Sequence, residues 1–311
     1  MKKLSYLLLS VLLYSAISTA TAQSGKTGKL RWSISNETLT VSGIGSMPIY
    51  KYNPNKHTIN SPWYSYRNSI TNVIIGDGVS SIGDNAFFFC DDNNLTLTNI
   101  FPSLTDIYDY YADCCKLVSV IISNSVTSIG RDAFRGSSNL SSIDIPSSVT
   151  NIGSAAFSNC HNLTVINIPN SVTTIEGYVF DFCVGLTSVT IPNSVTIIKY
   201  AAFRGCHGLT SITIPSSVVF LVGYSFAFCQ GLTSVTILGS TTTIDGSAFT
   251  GCDNLKEIII HATMPPKVIS NFSGINKKQI TIRVPETSIV DYRMADGWKD
   301  FENIEAFKDD K

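Results

Sequence analysis

Residues 186–208 read LTSVTIPNSVTIIKYAAFRGCHG, and close copies of this stretch precede and follow it along the chain. A leucine opens each regular copy at intervals of 23 residues: Leu117, Leu140, Leu163, Leu186, Leu209, Leu232 and Leu255. Two less regular copies begin at Ile70 and at Leu95, so the array covers about residues 70–260. A fixed period of this length is typical of a solenoid, in which stacked units bury one continuous core.

Each copy divides into a strand, a turn and a compact closing segment. Val189 and Ile191 alternate with polar residues, as in a strand with one buried face. Pro192 then ends the strand, because proline cannot donate to a continuing ladder. The remaining inward positions of this copy are Val195, Ile198, Ala202, Phe203 and Cys206. The sequence therefore predicts short parallel strands joined by short helical or irregular segments, in a right-handed curved array of about eight or nine coils.

In seven of the nine copies, the residue before the opening apolar residue is glycine or asparagine. Both residue types tolerate a left-handed backbone better than the others do. We therefore predict positive φ angles at these corners, which are Asn94, Asn139, Asn162, Gly185, Gly208, Gly231 and Asn254.

Both ends of such an array need a cap that prevents edge pairing. Residues 23–69 are predicted to be a β cap, in which a hairpin of Leu30–Trp32 and Thr38–Val41 lies over the first coil. Residues 261–311 are predicted to be a second cap, with a strand and a short helix from about Thr287. The aromatic residues that plug this cap are Tyr292, Trp298 and Phe301.

The N-terminal segment has the three parts of a secretory signal. A basic start at Lys2–Lys3 is followed by the apolar run Leu4–Ile17 and by the small residues 20–22. We expect residues 1–22 to be removed, so that the exported chain begins at Gln23. A retained anchor is the alternative, but the apolar run is shorter than the ~20 residues that a membrane span needs. No later segment is apolar enough to span a bilayer.

The pattern LxxVxIPxxVxxIGxxAFxxC resembles the BspA-like, or Treponema-type, leucine-rich repeat of bacterial surface proteins. The match is close from Ser142–Pro146 through Ile152–Gly153 to Ala156–Phe157 and Cys160. The flanking segments that resemble this family are Met47–Pro48, Ser61–Arg67, Val284–Pro285 and Tyr292–Trp298. The copy from Leu95 departs from the pattern, because Tyr111–Ala112 replaces Ala–Phe, and in the copy from Leu117 Ser137 replaces the cysteine. The resemblance implies a leucine-rich-repeat-like fold and adhesion to host extracellular-matrix proteins or to other bacteria.

Composition and charge exclude several other functions. With 22 Lys and Arg against 23 Asp and Glu, the chain lacks the basic surface that a nucleic-acid-binding protein needs. Only ten charged residues lie between Leu117 and Asn254, so the array offers no paired titratable groups for acid–base catalysis. HExxH, GxSxG and phosphate-loop motifs are also missing. We therefore do not expect an enzyme.

The cysteines mark one repeat position rather than a disulfide framework. Equivalent residues of adjacent coils lie ~5 Å apart with parallel Cβ vectors, which disfavours disulfides. We interpret these cysteines as a buried ladder of small side chains. A thiol is not required at this position, since Ser137 occupies it in one unit. The members of the ladder are Cys90, Cys115, Cys160, Cys183, Cys206, Cys229 and Cys252. Cys114 lies off this ladder and is the one exposed candidate.

Two Cys–His pairs resemble metal ligands at first sight. Cys160–His161 and Cys206–His207 are two coils apart, hence ~10 Å, whereas zinc binds all its ligands at ~2.0–2.3 Å. We therefore expect no metal site and no cofactor.

The outward residues of the strands form a first candidate binding surface, which we call the strand-face strip. Its hydroxyl and amide groups suit hydrogen bonding to a glycan or an extended peptide, although Ser and Thr are also ordinary residues of solvated strands. The residues of this strip are Asp144, Asn167, Ser188, Thr190, Ser211, Thr213, Ser234 and Thr236.

A second candidate surface is aromatic and comprises Tyr178, Phe182, Tyr224 and Phe228. The corresponding pairs of neighbouring coils are small: Ala155/Asn159, Ala201/Gly205 and Ser247/Gly251. Large side chains beside small ones favour packing across the gap between coils. An exposed aromatic ridge that anchors a partner is the alternative.

These observations predict a secreted or cell-surface bacterial repeat protein, monomeric, that binds a protein or glycan ligand through a rigid curved face. Nucleic acid is not an expected partner. The alternative is a structural or periplasmic scaffold with no dedicated ligand.

Overall fold

The computed structural model describes residues 23–56, 58–88, 116–239 and 243–307. Within these residues, equivalent strands of neighbouring coils pair in parallel, which confirms the predicted solenoid. Ser211 pairs with Ser234, so the register between coils is the 23-residue period of the sequence. The coils begin at Ile70, Leu117, Leu140, Leu163, Leu186, Leu209, Leu232 and Leu255.

Among the described residues, the first strand of each coil belongs to the front ladder, which is divided into three sheets. The first sheet contains β1 (Gln23–Thr27), β2 (Leu30–Ser35), β3 (Thr38–Ser42), β7 (Asn72–Ile75) and β9 (Ser119–Ile122). The second contains β11 (Ser142–Ile143), β13 (Val165–Asn167) and β15 (Ser188–Thr190). The third contains β17 (Ser211–Ile214), β19 (Ser234–Ile237), β21 (Glu257–Ile260), β23 (Thr281–Val284) and β24 (Asn303–Ala306).

The second strand of each coil belongs to the side ladder, which in the described part of the chain is divided into two sheets. One contains β4 (Gly45–Ser46), β8 (Val79–Ile82), β10 (Ser128–Ile129) and β12 (Asn151–Ile152). The other contains β14 (Thr174–Ile175), β16 (Ile197–Ile198), β18 (Phe220–Leu221), β20 (Thr243–Asp245) and β22 (Val268–Ile269). Outside the ladders lie the hairpin β5 (Tyr52–Asn53) and β6 (Thr58–Ile59), 3₁₀ turns at Tyr64–Ser69, Gly246–Phe249 and Glu286–Ser288, and helix α1 (Ile289–Met294).

The first two coils of the array are direct neighbours. Asn72 pairs with Ser119, and the rings of Phe87 and Phe134 stack at 5.3 Å. The prediction of a further coil between them, from Leu95, is therefore wrong. Its residues, with Cys90, Cys114 and Cys115, lie outside the described part of the chain, as do the predicted signal and His57. The sequence misled because this segment keeps an opening leucine, although Thr98 stands where the regular copies have an apolar residue of the strand.

A column of phenylalanine rings forms the centre of the core. Consecutive ring centroids lie 5.1–6.0 Å apart. The members, all fully buried, are Phe87, Phe134, Phe157, Phe180, Phe203, Phe226 and Phe249. Trp63 continues the column at its N-terminal end, 5.7 Å from Phe87, and donates from Nε1 to the carbonyl of Ala86. The cap therefore presents to the first coil the same kind of surface that one coil presents to the next.

The predicted positive φ angles at the corners before each leucine are wrong for the described corners. Glycine occurs there for a different reason, which is the close approach of the preceding coil. A Cβ at Gly185 would lie 2.4 Å from the His161 carbonyl oxygen, and one at Gly231 would lie 2.1 Å from that of His207.

Left-handed residues lie instead on both sides of the Ala–Phe segment, with φ between 53° and 74°. The first set is Asp132, Ala155, Tyr178, Ala201 and Tyr224, and the second is Gly136, Asn159, Phe182, Gly205, Phe228 and Gly251. This alternation points every second amide towards the next coil. The amides of Tyr178, Phe180 and Phe182 accordingly donate to the carbonyls of Tyr200, Ala202 and Arg204.

Both ends of the array are covered by strands and aromatic side chains. β2 and β3 form the predicted antiparallel hairpin, and β3 pairs in parallel with β7 of the first coil. At the other end, Tyr292 and Trp298 are fully buried and Phe301 nearly so, as predicted. The sequence analysis missed β24, which adds a last strand beside β23.

Candidate binding surfaces

The strand-face strip lies on the outer side of the front ladder. Six of its eight residues are exposed, while Ser234 and Thr236 are half-buried. Strand pairing aligns the strip into rows, because Asn167 pairs with Thr190 and Thr213 with Thr236. The remaining members, Asp144, Ser188 and Ser211, extend the same surface.

The strip contains a groove where the front ladder is interrupted between β15 and β17. Val189 is only half-buried there, whereas the equivalent Ile166 and Ile212 are buried. The groove has a volume of about 330 Å³. Its lining combines hydroxyl and apolar side chains and contains no charged residue: Thr187, Ser188, Val189, Thr190, Ile191, Asn193, Ser211, Ile212, Thr213, Pro215 and Leu238.

The sequence does not predict this groove. The two units that border it carry nearly identical strands, TSVTIP from Thr187 and TSITIP from Thr210. A periodic pattern describes an average coil and contains no signal for a local change in the spacing between two coils.

The second candidate surface is partly explained by packing, as the sequence favoured. The ring of Phe182 lies over Gly205, where a Cβ would come within 2.4 Å of its Cδ1 atom. Phe228 lies over Gly251 in the same way, with a corresponding distance of 2.5 Å. Phe182 is buried by this arrangement, whereas Phe228 remains 42% exposed.

Tyr178 and Tyr224 belong to a larger feature that the sequence analysis missed. Tyr200 lies between them, and its ring centroid is 5.4 Å from Tyr178 and 5.5 Å from Tyr224. We call these three residues the tyrosine ladder. The signal was present in the sequence, because Tyr200 occupies the position of Gly177 and Gly223 in the neighbouring coils. A tyrosine between two glycines has room for its ring.

The cations beside the tyrosine ladder are paired with carboxylates. Arg204 donates to both carboxylate oxygens of Asp181, at 2.7 and 2.9 Å, and its guanidinium lies over the ring of Tyr178 at 5.5 Å. Lys199 binds Glu176 at 2.7 Å. Burial raises the pKa of Asp181 above its usual value, and the bond from Arg204 opposes this shift. These pairs cancel local charge and fix the orientation of Arg204.

The described members of the cysteine ladder form a buried column of thiols without disulfides, as predicted. Each Sγ donates to a phenylalanine carbonyl of the preceding coil at 3.1–3.3 Å. Burial raises the pKa of Cys252 to about 12 and that of Cys206 well above its usual value. The members are Cys160, Cys183, Cys206, Cys229 and Cys252. Ser137 occupies the same column, buried and without a hydrogen-bond partner for its hydroxyl.

These thiols are expected to resist alkylation in the folded protein. The thiolate is the reactive form, and neither solvent nor reagent reaches it in the native state. Iodoacetamide at pH 8, followed by peptide mass spectrometry, should leave the five cysteines unmodified. The same treatment in concentrated guanidinium chloride should modify all five, and native-state labelling of Cys206 would contradict the burial.

The part of the chain that the structure describes contains neither a metal-binding cluster nor a membrane-spanning helix. No group of three or more His, Cys, Asp and Glu side chains is placed to hold a metal ion. Within the same residues, no helix has the length and apolar character needed to cross a membrane.

Comparison with a family model gives matches at residues 57–187 and 173–295. The model describes the BspA type leucine-rich repeat region and is found in six copies. No curated protein sequence matches the chain.

Several solved structures are similar to this one. A leucine-rich repeat protein from Eubacterium ventriosum is 18% identical over 93% of this chain and 85% of its own, with a TM-score of 0.50. One from Bacteroides ovatus is 21% identical over 86% and 80%, with a TM-score of 0.44. A leucine-rich cell surface protein from Faecalibacterium prausnitzii is 20% identical over 94% and 96%, with a TM-score of 0.39. At these identities, the similarity concerns the fold alone.

Proposed function

The chain belongs to the BspA-type leucine-rich repeat family, and from that premise we propose that it is an exported, non-catalytic adhesin. It binds a protein on a host or bacterial surface through the strand-face strip. In this proposal the array of residues 70–260 is the binding unit, and residues 23–69 and 261–311 cap it. Export rests on the signal predicted for residues 1–22. The protein acts as a monomer and binds no nucleic acid.

The groove between β15 and β17 carries the proposal. Ser188, Thr190, Ser211 and Thr213 present hydroxyl groups that both donate and accept hydrogen bonds. An extended peptide offers alternating amide and carbonyl groups, with which these hydroxyls can form hydrogen bonds. The half-buried side chain of Val189 provides an apolar contact. Because the coils are fixed by inter-coil hydrogen bonds, binding orders few protein groups and loses little conformational entropy.

The uncharged lining of the groove predicts how binding should depend on salt concentration. Attraction between exposed charges weakens with salt, whereas hydrogen bonds and apolar contacts in a groove do not depend on it in this way. Binding through the strip should therefore be nearly independent of ionic strength.

The test is a binding screen of the purified protein against immobilised fibronectin, fibrinogen, laminin and collagen at two salt concentrations. We expect a hit that persists at the higher salt concentration. The double variant Thr190→Lys/Thr213→Lys should weaken binding at least about tenfold, because it removes two threonine hydroxyls that bond to the ligand. Each such hydrogen bond contributes about 0.5–1.5 kcal/mol, and a tenfold change in affinity corresponds to about 1.4 kcal/mol.

The matched control is Thr173→Lys/Thr196→Lys, which places the same two charges on exposed threonines beside the side ladder. It should bind like the wild type. Undiminished binding by the strip variant would contradict the proposed site. A blank screen with folded protein would contradict adhesion to these proteins and favour a structural scaffold.

A further inference from the structure

The tyrosine ladder lies at the corner formed by the left-handed residues, away from the strand-face strip. Tyr178 is 37% exposed and Tyr200 is 41% exposed, while Tyr224 is half-buried. We propose that this ladder binds a linear, uncharged polysaccharide, whose sugar rings pack against the exposed surfaces of the tyrosines. This site is independent of the function proposed for the strip.

Packing alone does not account for the tyrosines. Tyr178 and Tyr224 have φ angles of 62° and 59°, a conformation that costs a bulky residue about 1–2 kcal/mol. Ala155 and Ala201 occupy the same position in neighbouring coils, so alanine satisfies the fold. Phe182 covers a glycine and is buried, whereas Tyr178 and Tyr200 leave more than a third of their surface in solvent.

The electrostatics of the ladder disfavour a charged ligand. Lys199 is paired with Glu176, and Arg204 is held by both oxygens of Asp181. An anionic polymer would have to displace these carboxylates, and a cationic one would meet the two basic groups. The phenol hydroxyls offer such a ligand groups that both donate and accept hydrogen bonds, as the hydroxyls of a sugar require.

The geometry fits a polymer with a short repeat. Ring centroids at 5.4 and 5.5 Å follow from the spacing of the coils, and this distance is close to the length of one sugar unit in an extended β-linked chain. The electron-rich face of an aromatic ring attracts the partly positive C–H groups on the face of a pyranose. Adjacent rings are tilted by 48–59°, so a chain that runs along the solenoid axis stacks on some of these rings and contacts the others through their edges and hydroxyls.

The test is affinity electrophoresis of the native protein in gels that contain soluble mixed-linkage β-glucan, β-mannan or xylan, with charged polygalacturonate as a comparison polymer. We expect at least one uncharged polymer to retard the protein. The variant Tyr200→Ala should raise the dissociation constant about tenfold, the size of a lost aromatic stacking contact. Tyr200→Phe keeps the ring and should stay within about threefold of the wild type.

Two controls separate this site from the others. Tyr52→Ala removes a half-buried tyrosine of the N-terminal hairpin and should leave retardation unchanged. Thr190→Lys/Thr213→Lys should also leave it unchanged, so that this proposal and that for the strip fail separately. The proposal is overturned if no uncharged polymer retards the wild type, if Tyr200→Ala binds normally with an unaltered melting curve, or if polygalacturonate retards the protein most.

Discussion

Replacement of Phe203 by alanine is expected to lower the free energy of unfolding by about 3–5 kcal/mol. The ring is fully buried between those of Phe180 and Phe226, at centroid distances of 5.2 and 5.1 Å. The cavity left behind cannot collapse easily, because the amide of Phe203 donates to the carbonyl of Ser225 at 2.7 Å and fixes the spacing of the coils. In a solenoid each coil contacts only its neighbours, so this loss falls on the middle of the stack.

Urea-induced unfolding followed by circular dichroism measures this effect. Phe228→Ala is the matched control, since it deletes the same side chain where it is 42% exposed, and it should cost about 1 kcal/mol or less. Equal losses in the two variants would contradict the assignment of Phe203 to the central column.

The repeat unit itself is predictable because its residues make the same contacts in every coil. The alternation at Val189 and Ile191 and the Ala–Phe segment at 202–203 recur with the period of the fold. Stacking identical units therefore places identical side chains on top of each other, as in the phenylalanine column. The family resemblance and the solenoid both follow from this one property.

Features that depend on two particular coils are not predictable in this way. The groove beside Val189 and the position of Tyr200 arise where one coil differs in spacing or in one residue from the next. The prediction of positive φ angles at the corner glycines was wrong for a related reason. Gly185 avoids a clash with the neighbouring coil, and a sequence read one unit at a time suggests only a local backbone requirement.

The side ladder is interrupted between β12 and β14, where two neighbouring coils differ at one repeat position. Gly83, Gly130 and Gly153 occupy equivalent positions in successive coils, and their backbones are in close contact. Glu176 takes this position in the next coil, and the pairing of the side ladder stops between these two coils. The later coils carry Lys199, Val222 and Asp245 at this position and their side strands pair again, so the break coincides with the change from close-packed glycines to larger residues.

Replacement of Gly153 by alanine is therefore expected to cost about 3 kcal/mol, at the upper end of the usual cost of overpacking. The new Cβ would lie 2.5 Å from the amide nitrogen of Arg131 and 2.7 Å from the carbonyl carbon of Gly130, both backbone atoms. Neither can move away without lengthening the 2.8 Å hydrogen bond from the amide of Gly153 to the carbonyl of Ile129.

Gly177→Ala is the matched control for this prediction, because its nearest contact would be the Tyr200 carbonyl oxygen at 3.2 Å and its φ angle is not positive. It should change the free energy of unfolding by less than about 1 kcal/mol. Hydrogen exchange adds a local measurement, since the amides of Ile129, Ile152 and Gly153 should lose protection in Gly153→Ala before those of the more distant coils. Unfolding free energies that are equal in the two variants would show that close backbone contact does not hold these coils together.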